Sequence, residues 1–111
     1  MKNKREVNGA ITLFTDHLQM TFLVDSLDFT KVVDLVQLEL WDRSERKWLY
    51  LSCNIDYISD VLNKEVYKDK RKEVKREFKK VGLKPKEGFK QLESLFKKAV
   101  DLGFIYNSVV D

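Results

Sequence analysis

Apolar residues change their spacing once along this chain, near Asp56, and that change limits the folds open to it. Before Asp56 they recur at every second residue, and after it at every third or fourth. Period two marks a strand with one buried face; a period near 3.6 marks a helix with one buried stripe. Strands first and helices afterwards is the order of an α+β domain, whereas alternating elements would indicate a parallel sheet. We therefore expect an N-terminal antiparallel sheet of about four strands followed by two C-terminal helices. The 111 residues fit one domain, 1–111, with a strand-rich half over 10–55 and a basic helical half over 56–103.

In the first half, Ile11 and Leu13 alternate with Thr12 and Phe14, and Leu18, Met20, Phe22 and Val24 alternate with Gln19, Thr21 and Leu23. This pattern predicts two strands joined by a tight turn at Asp16-His17. The turn lacks the glycine such turns favour, and a short helix over 15–24 is the competing reading. Residues 27–35 fit either a helical turn capped by Asp28 or an extended strand favoured by β-branched side chains. Over 35–55 the pattern is a hairpin around the polar loop from Asp42 to Lys47. Pairing Trp41 with Trp48 sets Leu40 opposite Leu49, Leu38 opposite Leu51 and Val36 opposite Cys53, all toward the core. A slip of one residue would set apolar beside polar. Trp41, Trp48, Glu39, Tyr50, Gln37 and Ser52 then share the other face.

From Asp56 onward Ile58, Val61, Leu62, Val66, Tyr67, Val74, Phe78 and Val81 lie on a drifting helical stripe. Asn54 or Asp56 suits its N-cap, and Gly82 is expected at positive φ just past its end. Pro85 suits the first turn of a second helix. There Phe89, Leu92, Leu95, Phe96, Ala99 and Val100 form the buried stripe, Gly103 ends it, and Phe104-Ile105-Tyr106 makes a short apolar tail. Neither helix can bury its stripe alone, so both should cover one face of the sheet.

The charge is segregated along the same boundary. Between Lys64 and Lys98 there are 14 Lys/Arg against 6 Asp/Glu, and between Gly9 and Asn63 there are 4 against 9. Local net charges of +8 and −5 thus hide behind an overall +3. A basic face concentrates polyanions near it.

Motifs for chemistry are sparse. Cys53 and His17 are the sole Cys and His, so neither a disulfide nor a Cys/His metal set is available. Cys53 alternates with Leu51 and Ile55 and is expected as a small core hydrophobe, and His17 as a turn residue. Glu45-Arg46-Lys47 has the spacing of a metal-nuclease fragment, but it falls in the hairpin loop, where exposed charge is ordinary. Gly82 and Gly88 do not form a phosphate-binding glycine loop. We expect no enzyme activity, no cofactor and no metal. The N-terminus lacks the apolar run of a secretory signal, and no stretch is long enough to span a bilayer, so a cytoplasmic protein with no membrane partner is expected.

Two features carry functional expectations. Lys68, Lys70, Arg71, Lys72, Lys75, Arg76, Lys79 and Lys80, extended by Lys84, Lys86 and Lys90, are the expected nucleic-acid contacts, to DNA or RNA. A solvated helix face laced with Asp69–Lys72 and Glu73–Arg76 pairs is the plainer reading of the same run. Gly82 between two helices also suits a helix-turn-helix, although the first helix is long and the second carries a full buried stripe. Trp41, Trp48 and Tyr50, beside Arg43 and Arg46, are the expected contacts for a protein partner, with a covered cross-strand pair as the plainer reading. The alternative function is accordingly that of an inhibitor or adaptor acting on a larger partner. Small size and segregated charge also suit a protein of phage or mobile-element origin.

Overall fold

Four antiparallel strands occur in chain order, β1 (Gly9–Phe14), β2 (Leu18–Val24), β3 (Val32–Asp42) and β4 (Lys47–Ser52), each hydrogen-bonded to the next. Three helices follow: α1 (Ile55–Leu62), α2 (Lys68–Lys80) and α3 (Pro85–Asp101). The computed structural model describes residues 9–24, 32–63 and 65–105. Residues 25–31, which include 27–31 of the segment 27–35 read as helix or strand, lie outside the described residues, as do Tyr106 and the N-terminal segment to Asn8; β3 begins at Val32. The fold is the expected α+β arrangement, with α2 and α3 as the two long C-terminal helices and a short α1 before them.

Alternation explains the sheet. Leu18, Met20, Phe22 and Val24 are fully buried, while Gln19, Thr21 and Leu23 between them are half-buried on the other face. The Asp16-His17 turn joins β1 to β2 as expected, with the Thr15 N–H donating to the Leu18 carbonyl at 2.8 Å. The hairpin loop works without glycine. Asp42 Oδ1 accepts from the Ser44 hydroxyl (2.8 Å) and from the backbone N–H groups of Ser44 (3.0 Å) and Glu45 (3.3 Å), and Arg46 takes the left-handed conformation at φ 55°. The Ser44 hydroxyl leads these contacts in holding the Asp42 carboxyl below its ordinary range.

The hairpin register holds at its loop end, where Trp41 faces Trp48, Leu40 faces Leu49 and Glu39 faces Tyr50. Beyond that point the expected register is wrong. Leu38 faces Ser52, not Leu51, because a bulge opposite Leu38 and Glu39 inserts one residue into β4. Ser52 therefore turns inward and is 8% exposed, and Leu51 packs half-buried at the core margin. Cys53 does not face Val36: it lies past the end of β4 and is exposed, not a core residue. The bulge serves the next turn. Ser52 Oγ accepts from the Asn54 N–H at 3.0 Å, and Asn54 Oδ1 caps α1 by accepting from the Tyr57 N–H at 3.1 Å.

The drifting stripe resolves into two helices, α1 ending at Leu62 and α2 beginning at Lys68; Val66 and Tyr67, expected on the stripe, are exposed. Helix α2 ends on a Schellman motif, with the Gly82 N–H bonded to the Lys79 carbonyl (3.1 Å) and the Leu83 N–H to Phe78 (3.0 Å). Gly82 has φ 78°, as expected, and Leu83 is buried behind it. Gly103, at φ 81°, ends α3 in the same way. The helices cover one sheet face. Leu13, Leu18, Met20, Phe22, Leu38 and Leu40 pack against Ile58, Val61, Val74, Phe78, Leu83, Leu92, Leu95, Phe96, Ala99 and Ile105. Among the described residues, no helix is long and apolar enough to cross a membrane.

Candidate nucleic-acid interface

Helix α2 has only two buried side chains, Val74 and Phe78, so most of its circumference is available to charge. Successive residues turn by about 100°. That rotation separates its cations into groups with different neighbours.

The first group lies against α3. Lys68, Arg71, Lys72 and Lys75 line a groove of about 440 Å³ with Pro85, Lys86 and Phe89 from the start of α3. Lys90 adjoins it, in a smaller cavity of about 260 Å³ with Leu62, Arg71, Lys86, Phe89 and Glu93. The two helices come this close because Gly88 lies on the Phe78 ring, where a Cβ would stand 2.5 Å from the nearest ring carbon. Phe78 and Phe89 also meet edge to face, their centroids 5.2 Å apart.

Arg71 is half-buried and holds three helices together. Its Nη1 donates to the Val61 carbonyl in the last turn of α1 at 2.8 Å, and its guanidinium carbon sits 4.0 Å from the Phe89 ring centroid. The first contact satisfies a carbonyl at the negative end of α1; the second is a cation–π stack.

The second group lies on the opposite flank of α2. Arg76 lines a cavity of about 400 Å³ with Tyr50, Leu51, Tyr57, Glu73, Val74 and Glu77. The Tyr57 hydroxyl donates to Glu73 Oε1 at 2.8 Å. Burial first, then this bond to a carboxylate, pushes the Tyr57 phenol up to about 12. Lys70 is turned toward α1, where it bonds Asp60 and stands 4.8 Å from the centroid of the Tyr67 ring. The bond to Asp60 is the main reason its ammonium is held above the ordinary lysine range. Lys80 pairs with Glu77 at 3.2 Å, while Lys79 and Lys84 are exposed. The expected cations thus fall into four sets: those in the α2/α3 groove and the cavity adjoining it, Arg76 in the cavity beside Tyr50, those tied to neighbours, and those facing open solvent.

The aromatic patch has a different outline from the one expected. Trp41 and Trp48 form a tilted cross-strand pair with centroids 5.1 Å apart. They share a cavity of about 400 Å³ with Phe14, Thr15, Asp16 and Gln19. Phe14 is 70% exposed, and its outward place was legible in its alternation with buried Leu13. Tyr50 lines the cavity beside α2 instead, and Arg43 and Arg46 project from the exposed hairpin loop.

Pro85 and Phe89 were read from sequence as helix start and core, and nothing in their spacing places them in a cationic groove. Among the described residues, no group of three or more His, Cys, Asp or Glu side chains could hold a metal ion. No protein-family model, no curated protein and no solved structure matches the chain.

Proposed function

We propose that this protein is a small non-enzymatic accessory or regulatory protein that associates with nucleic acid through α2 and the start of α3. One observation carries the reading: Lys68, Arg71, Lys72, Lys75 and Lys86 share one groove with Pro85 and Phe89, and no carboxylate lines it. Such an arrangement suits a chain of phosphates better than a protein surface, whose charges alternate in sign. Gathering several cations around the Phe89 ring, on both walls of one groove, supports this reading over that of a uniformly solvated face.

The test is a salt series of fluorescence-anisotropy titrations with labelled oligonucleotides. Log affinity should fall linearly with log salt, with a slope of about −0.9 per phosphate neutralised on duplex or about −0.7 on a single strand. Lys72→Glu with Lys75→Glu should lower affinity by at least about tenfold while leaving the melting temperature near that of the parent, because both side chains are exposed. Affinity indifferent to salt and to this double reversal would refute the reading.

A second reading, a protein-binding inhibitor or adaptor, is favoured by the exposed rings of Phe14 and Trp48 in one cavity of the sheet's outer face. Under it, Trp48→Ala would abolish partner capture and leave oligonucleotide affinity unchanged.

A further inference from the structure

The two flanks of α2 differ in charge, and that difference bears on the kind of nucleic acid the groove takes. On the α3 flank are Lys68, Arg71, Lys72 and Lys75. On the other flank are Glu73 and Glu77, with Arg76 between them in sequence. A helix with its side chains is about 10–12 Å across and fills a duplex major groove about 12 Å wide. Inside it, both flanks would meet a phosphate strand. Here only one flank is free of carboxylates. Helix α3 is no better suited, since Gly88, Gln91, Leu92, Leu95, Phe96 and Ala99 bury one of its sides.

We propose that the α2/α3 groove binds the backbone of a single-stranded nucleic acid, with the Arg71 guanidinium as its pre-positioned phosphate fork. The inference rests on the nucleic-acid reading above and narrows it. Cations stand on both walls of the groove, four from α2 and Lys86 from α3, so one strand lying between them is neutralised from two sides. Arg71 is held before any ligand arrives, by the Val61 carbonyl on one side and the Phe89 ring on the other. The bond to Val61 uses one of the five N–H groups a guanidinium carries, and the planar fork matches a phosphate with the others. Holding it in place lowers the entropy lost on binding. Phe89 supports Arg71 rather than stacking a base, so recognition is of the backbone and tolerant of base identity.

The experiment compares a labelled oligothymidylate with a blunt duplex of equal length in anisotropy titrations at one salt concentration. Three variants and the parent complete it: Arg71→Lys, Lys75→Glu with Lys86→Glu, and Arg76→Glu. The single strand should bind at least about tenfold tighter than the duplex. Arg71→Lys keeps the charge but loses the fork, and should weaken single-strand binding about tenfold. The Lys75/Lys86 double reversal should abolish it, and Arg76→Glu, on the other flank, should change it less than about twofold. The double reversal touches only exposed side chains and decides the matter even if Arg71→Lys fails to fold. Duplex binding as tight as single-strand binding, or an Arg76→Glu loss equal to that of the double reversal, would overturn the single-strand inference and leave the broader reading standing. No binding of either oligonucleotide would overturn both.

Discussion

Gln91 is a polar helix residue only 8% exposed, and its environment explains why. Its Oε1 accepts from the Thr15 hydroxyl at 2.7 Å and from the His17 backbone N–H at 3.0 Å. Its Nε2 reaches His17 Nδ1 at 3.0 Å and Glu87 Oε2 at 3.3 Å. The backbone N–H can only donate, so the amide orientation is fixed and Nε2 is the donor toward Nδ1. His17 must then be the Nε2–H tautomer, which long-range proton–nitrogen NMR correlations would report. Gln91→Leu should cost about 1–3 kcal/mol in urea denaturation, since two part-buried donors lose their acceptor. None of this was legible beforehand. A glutamine beside an apolar stripe reads as solvated, and its partners Thr15 and His17 are more than 70 residues away in the chain. Arg71 was legible only in part for a related reason: its type marks it as a cation, while its ties to Val61 and Phe89 depend on where α1 and α3 end up.

Elements were legible where the pattern was local. Period two located β1, β2 and the loop end of the β3–β4 hairpin, and the Gly82 cap followed from the order Val81-Gly82-Leu83. The bulge in β4 was not legible, because an extra residue leaves the composition of the strand unchanged. The candidate site was half legible. Counting charge found the cations, but adjacent Lys75 and Arg76 part by 100° around α2 and end in different cavities. At this scale Gly88 is the sharpest test. Alanine there would ordinarily help a helix by up to about 1 kcal/mol. Here its methyl would enter the ring of Phe78, which is fully buried and wedged against Phe89. Gly88→Ala should therefore destabilise by about 1–3 kcal/mol in thermal or chemical denaturation. A neutral or stabilising outcome would contradict the α2–α3 packing.

For the molecule as a whole, two contacts tie α2 to α1, Tyr57 with Glu73 and Lys70 with Asp60, and each raises the pKa of its donor. In both the protonated form is favoured in the folded state. Tyr57 is pushed from its ordinary 10.0 to about 12. Its contribution is fully present below pH 10 and is lost as pH rises through about 12, and that of Lys70 is lost in the same direction. Melting temperature should fall steeply across that window, and less steeply in Tyr57→Phe, which has no proton to lose. The joint between Gln91 and the β1–β2 turn has a consequence of another kind. The four strands pair with chain neighbours and each helix follows the last, so most of the fold closes over short loops. The Gln91 joint links residues 74 and 76 positions apart and can form only after the chain between them is organised. It is expected to form in the last steps of folding and to open in the first of unfolding. In stopped-flow measurements, Gln91→Leu should therefore leave the refolding rate nearly unchanged and accelerate unfolding. On that outcome, the joint that closes the domain would set how long the native state persists, more than how quickly it is reached.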